Sequence, residues 1–302
     1  MTMPTFLMIG GAKGGTSSLY AYLRQHPEIF LSAVRECDFF VLEGQTPSFR
    51  GPGDQIAFRR YITHLDRYQA LFTGAGDRPA VGESSDLYLD GQGAAGRICH
   101  YLPEAKLVVI LRDPAERAYS QYNHLVRDGR EPLPTFEQAL DAEETRIASG
   151  WHPIWHLKAR GFYAAQLQEY LDRFPAEQIS VHLHDDFTQD PWAVLRALFR
   201  FLGVDPEFRP DTSLRYNVSG TPRSRLLHAL LAQPMAVKDV FKPLLPAAFR
   251  HRVRAKLMNR NIVPYGTTMA PATRAGLIEL YRQDILRLQG LIQRDLRAWL
   301  ET

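Results

Sequence analysis

Phe6-Leu7-Met8-Ile9-Gly10-Gly11-Ala12-Lys13-Gly14-Gly15-Thr16-Ser17-Ser18-Leu19-Tyr20 decides how the rest of this chain is read. Its four leading apolar residues read as a short buried strand. A glycine-rich turn follows, and Ser17 to Leu23 reads as the opening of a helix. Strand, glycine turn and helix N-terminus together make an anion site. Glycines let the backbone curl around a ligand, and the N–H groups of the first helical turn point at it. Lys13 adds a mobile positive charge. The spacing is not that of an ATP loop. The pattern G-x-x-x-x-G-K-[ST] finds Gly10, Gly15 and Ser17, but the place of its lysine is taken by Thr16. The dinucleotide pattern G-x-G-x-x-G fails as well, because Ala12 stands where its second glycine belongs. The plain alternative for this stretch alone is an ordinary strand-to-helix turn.

A second anchor lies further on. Leu107-Val108-Val109-Ile110-Leu111 is the clearest strand, an uninterrupted apolar run suited to a parallel strand covered on both faces. Arg112 follows it directly. Asp113, Pro114 and Glu116 then read as N-cap, first helical position and capping box of a helix continuing through His124. An arginine at the carboxyl end of a strand, beside a helix N-terminus, suits a phosphate, and Ser120 adds a hydroxyl two turns along. A surface ion pair with a capped helix would explain Asp113-Pro114 but not the rest.

These two stretches resemble the sulfotransferases that use 3′-phosphoadenosine 5′-phosphosulfate (PAPS). Gly10, Lys13, Gly15, Thr16, Ser17 and Leu19 match the G-x-x-K-x-G-T-[ST]-x-L loop of that family. Arg112, Asp113, Pro114, Arg117, Ser120 and Tyr122 match its R-[DN]-P-x-x-R-x-x-S-x-Y segment. The resemblance implies that the loop Gly10, Gly11, Ala12, Lys13, Gly14, Gly15, Thr16, Ser17 and Ser18 holds the 5′-phosphosulfate. It implies that Arg112 and Ser120 hold the 3′-phosphate. Arg35-Glu36-Cys37-Asp38-Phe39-Phe40 is similar to the K-E-x-x-F-F segment of the glycosaminoglycan-type enzymes, whose glutamate is their proposed base. Glu83-Ser84-Ser85 resembles their E-K-[ST] segment, with Ser84 in place of the lysine and Tyr88 retained. Glu36 and Glu83 are therefore the candidate bases, Glu36 before Glu83. A late basic loop, Ser219 to Arg225 with Arg223, stands where the family closes over the nucleotide. Gly161, Tyr163, Asn217 and Trp299 recur more loosely, so the likeness runs through roughly 5–230 and 270–300.

PAPS differs from ATP in its separate 3′-phosphate, so a protein that reads it needs two anion sites. Sulfuryl transfer is an in-line displacement with a loose transition state and charge collecting on the leaving oxygen. Sulfate carries less charge than phosphate, so no metal is expected. Lys13 beside the bridging oxygen would stabilise the leaving phosphate. PAP, adenosine 3′,5′-bisphosphate, would be the product.

Composition sets the bounds. The chain has 302 residues, 45% apolar and 23% charged, with net charge +3, as expected of an ordinary globular protein with an anionic ligand and no nucleic acid. Two cysteines, Cys37 and Cys99, are too few for a disulfide framework or zinc cluster. With no signal-like or spanning apolar run, a cytoplasmic protein is expected. Strands alternating with helices imply an α/β fold, a single domain with a central parallel sheet flanked by helices of the P-loop-like sulfotransferase type. Within 1–302, residues 5–230 read as nucleotide-binding and catalytic core, 233–263 as a basic insertion or cover, and 270–302 as C-terminal helices. Segment 233–263 reads first as solvated surface, with a cover over the acceptor or a peripheral membrane contact as alternatives. Residues 55–72 read as helical and 28–50 as mixed. The histidines at 152, 156, 182, 184 and 228 read as structural. Two other functions stay open: an ATP-dependent small-molecule kinase on a modified loop, and a nucleotide-binding module without turnover. The acceptor, a carbohydrate or small metabolite with a hydroxyl or amine, and the oligomeric state are beyond the sequence.

Overall fold

The computed structural model describes residues 3–213, 221–222, 262–263 and 269–302. Its main sheet is built from β1 (Phe6–Gly10), β2 (Ile29–Leu31), β3 (Ala80–Ser84), β4 (Lys106–Leu111) and β5 (Ile179–Leu183), in the order β2-β3-β1-β4-β5. All neighbours run parallel. The apolar runs that open the two anchors are the central pair. Alternate residues of each serve opposite faces. Leu7, Ile9, Leu107, Val109 and Leu111 enter one apolar cluster. Phe6, Met8, Val108 and Ile110 enter the other. This is why the runs are continuously apolar: both faces of a parallel sheet are covered.

Helix Thr16–Leu23 and helix Pro191–Leu202 cover the second face through Leu19, Leu23, Leu195 and Phe199. Helices Pro114–Arg127 and Tyr163–Leu171 and the long helix Pro271–Ile292 lie on the first, through Ala118, Leu167 and Tyr281. The order of strands means the chain leaves β1 on one side and later crosses to the other. The crevice at the carboxyl ends of β1 and its neighbours is where such sheets bind ligands.

The caps follow the sequence. The Asp113 carboxylate accepts the N–H groups of Ala115 and Glu116 at 2.8 and 3.1 Å, and Gly203 ends helix Pro191–Leu202 with φ 78°. One expectation needs correction. Residues 55–72 are not one helix: a 3-10 turn at Asp54–Arg59 and a short helix at Leu65–Ala70 flank an extended piece. Tertiary pairing overrides helix propensity there, because the Ile62 N–H is taken by the Cys37 carbonyl at 3.0 Å, and Ile56 ends 73% exposed. The mixed stretch 28–50 contains β2, a three-residue edge strand too short to show a period. Among the described residues, no helix is long and apolar enough to cross a membrane. Thr221–Pro222 and Ile262–Val263 pair antiparallel, apart from the main sheet. Asn217, Arg223 and the rest of segment 233–263 lie outside the described residues.

Candidate active site

The glycine loop is pressed against β4. The Gly11 N–H donates to the Ile110 carbonyl at 2.9 Å. A Cβ on Gly14 would sit 2.2 Å from that same oxygen, so no other residue fits there. Gly15 takes φ 108° and caps helix Thr16–Leu23 without a side-chain bond. The positive end of that helix thus faces the cleft through Thr16, Ser17 and Ser18. Gly10, Gly11, Ala12 and Gly14 shape the turn from behind and do not line the cleft.

Lys13 sits at the crown with φ 64°. Its Nζ lies 3.2 Å from His124 Nδ1, and His124 Nε2 lies 3.2 Å from Asp128 Oδ2. Burial and the Lys13 charge bring His124 down to about 4, so the ring is neutral. Its Nδ1 then accepts from Lys13 and from Arg127, whose guanidinium nitrogen lies 3.1 Å away, and its Nε2–H donates to Asp128. Burial would lift Asp128, but the bond from His124 and the charge of Arg127 hold it well below the usual carboxylate range. Burial, then Arg127, lowers Lys13 to about 8, which leaves it mostly charged at neutral pH.

Arg112 emerges at the end of β4 with its carbonyl bonded by the Tyr163 hydroxyl at 3.0 Å. Its guanidinium meets Glu116 at 3.3 Å and keeps 21% of its side-chain surface. Ser120, His124 and Asp128 follow at four-residue intervals, which puts them on one stripe. Arg112, Ser120 and His124 line the same cleft as Lys13, a volume of about 1350 Å³. Arg117, matched in the same motif, is fully buried and donates to the Leu157 carbonyl.

Glu36 also lines this cleft. Its Oε2 accepts the Asp86 N–H at 2.8 Å and its Oε1 accepts from Arg35 at 3.2 Å. Burial, then the Asp86 charge, pushes its carboxyl up to about 7. Asp86 stays ionised: burial opposes this, and the Arg160 guanidinium outweighs it. Glu83 is placed differently. It is fully buried beneath the cleft floor, accepts from Tyr68 at 3.3 Å and Ser85 at 3.0 Å, and does not line the cleft. Burial lifts it to about 7 too. Ser84, which stands where the family has lysine, is 1% exposed and likewise outside the lining.

Residues that composition and spacing passed over complete the site. His184, read as structural, fixes the loop through a 2.8 Å bond between Nδ1 and the Gly14 carbonyl. His152 lines the same cleft. Tyr22 and Phe187 meet at 6.0 Å beside the helix end, an aromatic lip. His124 and Asp128 were legible as an i, i+4 continuation of Ser120; the others depend on long-range contacts. Among the described residues, no group of three or more His, Cys, Asp or Glu side chains is arranged to hold a metal ion.

A family model described as "Sulfotransferase family" matches residues 89–209. A crystal structure of a sulfotransferase from Alicyclobacillus acidocaldarius is similar over 100% of both chains, at 36% identity and a TM-score of 0.80. The bifunctional heparan sulfate N-deacetylase/N-sulfotransferase 1 of Caenorhabditis briggsae is 27% identical over 237 residues, 75% of this chain and 26% of its own length. The chain therefore spans about a quarter of that relative. A mouse sulfotransferase crystallised with PAP shares the fold, with a TM-score of 0.52 at 12% identity over 94% of this chain and 86% of the other.

Proposed function

This chain belongs to the sulfotransferase family; from that premise we propose that it transfers a sulfuryl group, with PAPS as donor and a hydroxyl or amine on a carbohydrate or small metabolite as acceptor. One observation carries this reading. Lys13, Glu36 and the pair Arg112 and Ser120 come from three separate stretches of chain and converge on one cleft. The loop and Lys13 take the 5′-phosphosulfate. Arg112, at the adjacent strand end, and Ser120, in the helix that follows, take the 3′-phosphate, which ATP lacks. Glu36, held near 7, accepts the acceptor's proton. The acceptor oxygen or nitrogen bonds to sulfur as the bond from sulfur to the bridging oxygen breaks. The electron pair goes to that oxygen, beside the Lys13 ammonium, and PAP leaves. The neutral His124 holds that ammonium in place from behind. Glu83 has no part in proton transfer in this scheme. The N-sulfotransferase relative supports a carbohydrate acceptor.

The test is calorimetry with PAP and with 5′-AMP. A charge-assisted phosphate site contributes about 1.5–3 kcal/mol, so PAP is expected to bind roughly ten- to a hundredfold more tightly. Equal affinities would remove the 3′-phosphate role of Arg112 and Ser120. Transfer from radiolabelled PAPS to an acceptor then tests turnover.

A further inference from the structure

The lining of the cleft near Glu36 holds a hydroxyl whose proton is not donated to any described residue. Asp54 is fully buried, and its carboxylate takes the N–H groups of Gly51 at 2.7 Å and His152 at 2.9 Å. The Trp155 indole also donates to it, at 3.0 Å. This fixes His152 in the wall. The His152 Nδ1 accepts the Ile154 N–H at 2.9 Å, so the ring proton must sit on Nε2. Burial holds the ring neutral, down at about 3. Nε2 lies 2.5 Å from the Tyr61 hydroxyl oxygen. The histidine is therefore the donor in that bond and the tyrosine oxygen the acceptor. The hydroxyl's own proton goes elsewhere, and no described residue accepts it in a hydrogen bond. Burial, then the neighbouring Asp38, keeps the phenol protonated, well above its usual range.

Tyr61 is 7% exposed and lines the cleft. The bond from the Ile62 N–H to the Cys37 carbonyl, at 3.0 Å, sets it beside Glu36 and Asp38. A second orphan sits on this wall. Asp38 is 2% exposed, lines the cleft, and its Oδ1 has no hydrogen-bond partner among the described residues. A buried polar atom without a partner is costly, and Asp38 Oδ1 together with the undonated Tyr61 proton points to a ligand that supplies both partners. Lys13, Arg112 and Ser120 already serve the donor. The missing partners belong to the acceptor.

We infer that Tyr61 is an acceptor-binding residue. Its hydroxyl donates to an oxygen that the acceptor carries next to the group being sulfated, and Asp38 takes a polar group of the same acceptor. Together they turn the nucleophile toward Glu36. This rests on the reading of the cleft as a PAPS site. The expected acceptor is one with a neighbouring oxygen, and an isolated amine or alcohol is used poorly.

The test uses radiolabelled PAPS with two pairs of probes. Glucose and glucosamine carry neighbouring hydroxyls; cyclohexanol and cyclohexylamine do not. Sites built to hydrogen-bond a substrate hydroxyl reject analogues lacking it by large factors. The wild-type protein is expected to favour the sugars by about a hundredfold or more in kcat/KM. Tyr61→Phe should bring that preference to within about tenfold, with the loss carried in KM and PAP affinity unchanged. Asp38→Asn keeps the side-chain volume and should raise the sugar KM in the same way, so it reports on the wall even if Tyr61→Phe fails to fold. The inference is overturned if the wild type uses both probe pairs equally, if it uses neither sugar while still binding PAP, or if both variants keep the wild-type sugar KM. Failure of the wild type to bind PAP would instead overturn the donor reading.

Discussion

Glu36→Gln separates stability from catalysis in a way the structure makes quantitative. Burial, then Asp86, raises the Glu36 carboxyl from 4.5 to about 7. A carboxyl held higher in the fold than in the unfolded chain is a liability once it ionises. Below pH 4.5 it is protonated in both states and costs nothing. Between about 4.5 and 7 the unfolded chain loses the proton first, and the fold loses stability as pH rises. Above 7 the loss is complete. A tenfold difference in proton affinity between the two states corresponds to about 1.4 kcal/mol, so the ceiling is about 3 kcal/mol. The side chain keeps 19% of its surface, and glutamine loses the ion pair with Arg35, so a gain of about 1–3 kcal/mol at about pH 8 is expected. Urea unfolding of wild type and Glu36→Gln between about pH 5.5 and 8.5 measures it. The variant's advantage should grow toward pH 7 and then level off. Transfer from PAPS should fall by about a hundredfold or more, the usual contribution of a general base. In the wild type the rate should rise with pH through about 7, as the base form appears. A stability difference that is flat across this range, or a variant with full activity, would refute the placement of Glu36 as an ionising base in the cleft.

Lys13→Ala should lower kcat by roughly a hundred- to a thousandfold, the scale of one lost electrostatic contact to a developing charge, while the fold survives by circular dichroism; an unchanged kcat would separate the lysine from the leaving oxygen. Glu83→Gln should stay within about tenfold of wild-type transfer, because the side chain is sealed beneath the cleft; a loss matching Glu36→Gln would make Glu83 the base. Gly14→Ala places a methyl 2.2 Å from the Ile110 carbonyl oxygen. It should cost about 3 kcal/mol in urea unfolding, since backbone on both sides must move; a loss under about 1 kcal/mol would mean the loop is not pressed against β4.

The sequence by itself determined the two anchors and the fold between them. Strand, glycine turn, lysine and helix lie within fifteen consecutive residues, Phe6 to Tyr20, and strand end, cap and Ser120 within another short stretch. Local sterics and capping fix such units, and the handedness of parallel connections then leaves few ways to join them. Tertiary structure decided which carboxylate meets the cleft. Glu83 pairs in register with Leu7, and Leu7 belongs to the apolar cluster beneath the loop. A one-residue slip would have turned Glu83 to the other face of the sheet, and nothing near it in sequence records the register. Glu36 reaches the cleft because two residues with φ 54° and 52°, Glu36 and Asp38, bend the chain under Asp86. Glutamate does not advertise that conformation, although aspartate adopts it more readily than most residues. The same holds for Tyr61 and His152, ninety-one positions apart, whose shared proton depends on Asp54 and the Ile154 N–H. Short-range chemistry is written along the chain; the side chains that select an acceptor are brought together only by contacts between distant segments.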